Sequence, residues 1–209
     1  MLCIIEKTKE VAAVQVLLID ACPRPQGASR TRRLGEAFLD AVRAQHPQMQ
    51  FEVLRLDELQ LMPLTGEMEA RRSKLIDAGR LDDPMFAPAR SFASAELIVV
   101  CAPYWDFAFP ASLKTLIEHV CVRTLTFTYR DDQPVGLCRA EHLVYLTTSG
   151  SPIGDDNWGG DYLRAVTGRL LGVKRFHQIS AEGLDILGAE PEAILADAME
   201  RARALAAFL

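Results

Sequence analysis

The chain has 209 residues, with 23 Lys plus Arg against 28 Asp plus Glu and a net charge of −5. Apolar residues make up 49% and charged residues 24%, which excludes a disordered chain, and the acidic balance excludes a broad phosphate-neutralising surface for DNA or RNA. Cys3, Cys22, Cys101, Cys121 and Cys138 contain no C-x-x-C pair, so neither a disulfide framework nor a zinc knuckle is signalled and a reducing cytoplasm fits best.

Residues 1–13 read as an extension ahead of one domain over 14–209. Lys7, Lys9 and the apolar run Val11–Ala21 before Cys22 superficially look like a lipoprotein signal, which Glu10 and Asp20 spoil. The same run, broken by Gln15 and Asp20, falls short of the roughly 18 apolar residues of a membrane span. Gln15–Ala21 suits a parallel strand buried on both faces, ending at Pro23, Pro25 and Gly27. Ser29 caps a helix with apolar residues at Leu34, Ala37, Phe38, Ala41 and Val42, and Pro47 stops it. Phe51–Leu56 alternates with period two and reads as an edge strand.

Residues 57–90 lack clear periodicity and form a long connection with some helix. Glu96–Cys101 is the strongest strand signal, followed by the aromatic loop Ala102–Pro110. Pro110 suits the first turn of a helix carrying Leu113, Leu116, Ile117 and Val120 on one face. Leu125–Tyr129 and Gln133–Gly136 form an extended excursion turning at Asp131–Asp132. His142–Thr148 is a fourth central strand running into TTSGS, Thr147–Ser151. A loop through Gly154, Gly159 and Gly160 precedes a helix over 161–171, a fifth strand at Val173–Ile179, and a last helix from Pro191. Alternation of strands and helices demands an α/β fold with a parallel sheet covered on both faces.

In such a sheet, ligands bind beyond the carboxyl ends of the strands. The loop after the first strand, residues 22–33, offers Ser29, Thr31 and a helix start to one phosphate. It contains neither G-x-G-x-x-G nor G-x-x-x-x-G-K-[ST], which excludes a primary dinucleotide Rossmann domain and a Walker-type nucleotidase. Arg24, Arg30, Arg32 and Arg33 are either a solvated helix start or an attraction for a phosphate or a pyridine nucleotide. Tyr104, Trp105, Phe107 and Phe109 either fill a hydrophobic corner or receive a flat aromatic ligand. Trp158 is a packed loop aromatic or a lid. His46, His119, His142 and His177 lie on unrelated elements without metal spacing and are read as structural.

Together these segments resemble the flavodoxin-like NAD(P)H:quinone oxidoreductases, and most closely the bacterial FMN-dependent NADH-azoreductases. The family's S-x-S-x-x-L is matched by Ser29-Arg30-Thr31 and Leu34, and its A-P-M-Y-N-F by Ala102-Pro103-Tyr104-Trp105-Asp106-Phe107. A shortened Ser112-Leu113-Lys114 is followed by Thr126-Phe127-Thr128-Tyr129 and Pro134-Val135-Gly136-Leu137. T-S-R-G-G appears as Thr147-Thr148-Ser149-Gly150-Ser151, and A-E-G as Ala181-Glu182-Gly183.

The resemblance implies a flavodoxin-like doubly wound sheet of five strands, order 2-1-3-4-5, holding FMN. Its site would comprise Cys22, Ser29, Arg30 and Thr31 near the phosphate, with the flavin ring between two further loops. Those loops supply Pro103, Tyr104, Trp105, Asp106 and Phe107 on one side and Thr148, Ser149, Gly150 and Ser151 on the other. Loop amides would face the ring edge and stabilise charge arising on reduction. The implied activity is ping-pong hydride transfer from NADH or NADPH to a quinone or azo acceptor, with no catalytic side chain or metal. A homodimer is implied too, with the helix from Pro110 as its contact. The alternative is a flavin-binding electron carrier or redox-sensing module without steady turnover. Three positions depart from the family: Cys22 stands where Ser is common, Ser149 where Arg is usual, and Asp106 where Asn is usual. An ionised Asp106 beside the ring would lower the flavin potential.

Overall fold

The computed structural model describes residues 15–25 and 27–209; the extension expected over 1–13, with Cys3, lies outside them. Five parallel strands form the central sheet: β1 (Gln15–Asp20), β2 (Gln50–Arg55), β3 (Leu97–Cys101), β6 (His142–Thr148) and β7 (Arg175–Ala181). Their spatial order is β2-β1-β3-β6-β7. The antiparallel hairpin β4 (Phe127–Arg130) and β5 (Gln133–Gly136) takes the intervening numbers, so the order matches 2-1-3-4-5 counted over sheet strands alone. β3 is buried at all five residues, as a central strand covered on both faces must be.

Side chains alternate between two cores. One face packs under α1 (Arg30–Gln45) and α7 (Pro191–Phe208), with Val16, Val99, Val144 and Leu146 meeting Leu34, Phe38 and Leu195. The opposite face, through Leu17, Ile98, Leu143 and Tyr145, packs under α4 (Ala87–Ser94), α5 (Ala111–Val120) and α6 (Trp158–Ala165). Each large apolar side chain so buried contributes about 1.5–3 kcal/mol. Gly35 lets α1 approach β3 closely, since a Cβ there would stand 2.5 Å from Cys101 Sγ.

The 57–90 connection resolves into α2 (Leu56–Leu59), α3 (Gly66–Asp77) and a 3-10 turn at Pro84–Phe86 leading into α4. Arg72 of α3 donates to the carbonyls of Glu118 and Cys121, closing the end of α5. Pro110 is the cap residue of α5 rather than a member of its first turn.

Two boundaries depart from expectation. The helix placed at 161–171 starts at Trp158 and ends in a π turn over Val166–Leu170. Gly159 and Gly160, which read as loop, sit in its first turn because α6 presses against Ala108 and Gln178, leaving no room for side chains. The strand placed at 173–179 runs from Arg175 to Ala181, in register with β6 from His142↔Arg175 to Thr148↔Ala181. The same pairing corrects the reading of His142 and His177 as unrelated. They occupy adjacent strands, with His142 Nδ1 3.0 Å from His177 Nε2.

Candidate functional site

Ser29 begins the site in the way its sequence position requires. Its hydroxyl accepts from the Arg32 amide at 3.2 Å, fixing the start of α1 at the carboxyl end of β1. The first-turn amides of a helix have no intrahelical partner and favour an anion. Thr31, in the first turn of α1, is buried and its hydroxyl lies 2.6 Å from that of Thr148 at the end of β6.

The second wall is the loop after β3. Tyr104 N donates to Thr148 O at 3.0 Å, and the Tyr104 hydroxyl donates to Asp156 O at 2.9 Å. Trp105 and Ala108 exchange backbone hydrogen bonds around Asp106 and Phe107, both at positive φ, 49° and 66°. That is the pattern of a type I′ turn, which an Asp accepts readily and a Phe does not. Phe107 rests on Trp158 with ring centroids 5.4 Å apart, and Phe109 lies 6.0 Å from Tyr162. Trp158 is thus the exposed first residue of α6, paired with the neighbouring loop.

Between these walls lies a cleft of about 240 Å3. The structure brings Ser29, Arg30, Thr31, Pro103, Tyr104, Trp105, Thr148, Ser149 and Gly150 to its surface. Four expected residues stand apart from that lining. Cys22 is buried behind the loop, where its thiol donates to Cys101 O at 3.6 Å. Burial first, and then Asp20, push its thiol up to about 12, so it is chemically quiet. Asp106 and Phe107 project at the turn tip, and Ser151 is exposed beyond Gly150.

Pro23, Arg24 and Asp185 complete the lining. Asp185 was illegible in the sequence, because Arg30, 155 residues away, defines its role. Arg30 donates to Asp185 Oδ1 at 2.8 Å and to Leu184 O at 3.3 Å. Leu184 N and Asp185 N in turn reach Ser149 O and Gly150 O, so the segment after β7 is laced to the loop after β6. Arg33 is held by both carboxylate oxygens of Glu192, and Arg32 by Asp20. Arg24 alone of the four forms no salt bridge among the described residues, which leaves it free to face an anion in the cleft.

Loop amides are less available than the sequence suggested. Those of Tyr104, Trp105 and Ser151 bond to neighbouring loop residues or Thr148 O, and that of Ser149 donates to Ala181 O at the end of β7, while the amides of Asp106, Phe107 and Gly150 have no hydrogen-bond partner among the described residues.

The flavodoxin-like fold family matches residues 14–206. The chain belongs to this flavodoxin-like family. The FMN-dependent NADH:quinone oxidoreductase 2 of Clostridium acetobutylicum is 34% identical over 194 residues, covering 90% of this chain and 96% of that protein. The FMN-dependent NADH:quinone oxidoreductase of Clostridium beijerinckii is 30% identical over 199 residues, with the same coverage. Among solved structures, an azoreductase from Bacillus anthracis str. Sterne superposes with a TM-score of 0.84 at 22% identity, covering 94% of this chain and 100% of that one. An FMN-dependent NADH-azoreductase from Bacillus anthracis str. Ames Ancestor, in complex with FMN, gives 0.80 at 19% identity, covering 93% and 98%. These structures establish the flavodoxin-like fold, and the resemblance first carried by the loop motifs holds over nearly the whole chain.

The donor set of the cleft fits FMN. One end offers an uncommitted cation, a helix N-terminus and hydroxyls, the chemistry a phosphate monoester requires. The other offers the rings of Tyr104 and Trp105 opposite the polar Thr148–Gly150 segment, suited to a flat heteroaromatic.

Proposed function

We propose that this flavodoxin-like chain is an FMN-dependent NADH:quinone oxidoreductase that also accepts azo compounds. The observation that carries the reading is the single cleft shared by the starts and ends of three segments distant in sequence, residues 29–31, 103–105 and 148–150. The names of its relatives favour NADH over NADPH as donor.

FMN, when bound, supplies a two-electron centre that exchanges a hydride with NADH and then with the acceptor. The chain's own work is binding and orientation. Ser29, Thr31, Arg24 and the α1 amides hold the phosphate. Pro103, Tyr104 and Trp105 on one side and Thr148, Ser149 and Gly150 on the other hold the ring. The exposed Asp106–Phe107 tip and Trp158 form the rim over which donor and acceptor alternate. The Tyr104–Asp156 hydrogen bond fixes that rim to the 153–157 loop.

Copies of the chain pair as a homodimer through the rim. Trp105, Phe107 and Trp158 are 49%, 51% and 60% exposed beside the cleft, an apolar group of the kind partners cover. The apolar face of α5 is committed to the chain's own core, so α5 offers a partner only its polar side, with Lys114 and Glu118. Free Cys22, Cys101, Cys121 and Cys138 suit a cytoplasmic location. No helix among the described residues is long and apolar enough to cross a membrane.

Purified protein is expected to turn yellow with micromolar FMN and to oxidise NADH continuously when a simple benzoquinone is added. Failure to bind FMN with the fold intact overturns the reading. Binding without steady turnover returns the electron-carrier alternative.

A further inference from the structure

We propose that Arg32 is the positioning residue of the phosphate end of the cleft, acting by turning the carbonyls of the first loop away from the bound anion. The inference rests on the FMN reading and adds a residue that touches no ligand. Arg32 lies in the first turn of α1 with its side chain 12% exposed. Its Nε donates to Asp20 Oδ2 at 2.6 Å, one terminal nitrogen to Cys22 O at 2.7 Å, and the other to Arg24 O. Asp57 Oδ2 stands 3.5 Å from the guanidinium, and Asp20 Oδ1 accepts from Cys22 N at 3.0 Å. One planar fork therefore grips three acceptors on the stretch from Asp20 to Arg24.

The direction of that grip matters. Arg32 lines a separate cleft of about 370 Å3, together with Asp20, Pro25 and Asp57, whereas Pro23, Arg24 and Ser29 line the 240 Å3 cleft. The loop is the partition between the two, and its carbonyls at Cys22 and Arg24 are drawn to the far side. A carbonyl oxygen facing a phosphate dianion would repel it. Pro23 and Pro25 bring no N–H to compensate, so the wall has few donors and the orientation of its carbonyls counts heavily. Holding Arg24 O also fixes the backbone from which the Arg24 side chain enters the cleft. The role needs a fork with fixed donor directions, which lysine lacks although it carries the same charge. Arg30 and Arg33 cannot substitute, since Asp185, Leu184 O and Glu192 engage them.

Equilibrium binding of FMN and of riboflavin, which lacks the phosphate, separates this role from a general structural one. Flavin fluorescence titrations would be run on the wild-type protein, Arg32→Lys and Arg32→Gln at one ionic strength. The wild type is expected to prefer FMN. Both variants are expected to lose about tenfold or more of FMN affinity, roughly 1.4 kcal/mol, while riboflavin affinity stays within about threefold, roughly 0.7 kcal/mol. Retention of the preference in Arg32→Lys overturns the proposal, because charge alone would then suffice. Equal weakening of both flavins overturns it in favour of a structural role, and a wild type that binds both equally overturns it too. A wild type that binds neither flavin refutes the FMN reading itself. Should the Arg32 variants not fold, Asp20→Asn carries the test, with a loss of about threefold or more in the FMN-to-riboflavin ratio expected and an unchanged ratio overturning the proposal.

Discussion

Thr31 and Thr148, 117 residues apart in sequence, share a buried hydrogen bond of 2.6 Å between their hydroxyls. It joins the first turn of α1 to the last residue of β6 and so sets the spacing of the phosphate and ring ends of the cleft. Only one of the two hydroxyl protons is used, which leaves the other for a ligand oxygen.

Thr31→Val and Thr148→Val each leave a buried hydroxyl without its partner. Each is expected to cost about 1–3 kcal/mol in urea unfolding. The double variant is expected to cost less than the two single losses added together, because no orphaned hydroxyl remains. Simple additivity would show that the two side chains do not depend on each other.

Asp106 offers a test of the turn that carries it. Its carboxylate is exposed at the tip, so water and salt screen it from the cleft. Asp106→Asn is therefore expected to raise the potential of bound flavin by only about 10 mV, on the order of 0.5 kcal/mol for two electrons. Asn also accepts a positive φ, whereas Asp106→Ile at φ 49° is expected to cost about 1–2 kcal/mol of stability. A redox titration and a denaturant melt check the two halves.

At Gly159, an added Cβ would lie 2.9 Å from the backbone of Ala108, the residue that closes the Trp105–Ala108 turn. Gly159→Ala is expected to push that loop outward, lowering stability by about 1–3 kcal/mol as overpacking does. The NADH-dependent quinone reductase assay is expected to show a higher KM with a smaller change in kcat. An unaltered melt and KM would mean that α6 shifts freely.

The His142–His177 pair predicts a pH dependence of stability. Burial lowers both pKa values from 6.5; Arg175 adds to the lowering at His142, and His142 and then Arg175 add to it at His177, while Glu141 pulls His142 weakly the other way. The unfolded chain therefore binds more protons than the folded one below about pH 6.5. Stability from this pair is complete above that value and falls as the pH drops toward the lowered folded values. His177→Gln is expected to flatten urea unfolding midpoints between about pH 5 and 7. A slope as steep as the wild type's would assign the dependence to other groups.

The alternation of apolar runs, the Ser29 cap and the Asp131–Asp132 turn were all determined by the sequence alone. Each depends on residues within a few positions, where side-chain period and local hydrogen bonding decide the backbone. The motifs likewise sufficed to name the family, because the loops that bind ligands in a doubly wound sheet follow particular strands. Tertiary structure alone decided which arginine is uncommitted, since Asp20, Asp185 and Glu192 reach Arg32, Arg30 and Arg33 only after β1, β7 and α7 converge on α1. It also decided that Gly159 and Gly160 belong to a helix and that His142 meets His177. These outcomes depend on register and close approach between segments far apart in the chain, and no local pattern of residues encodes either.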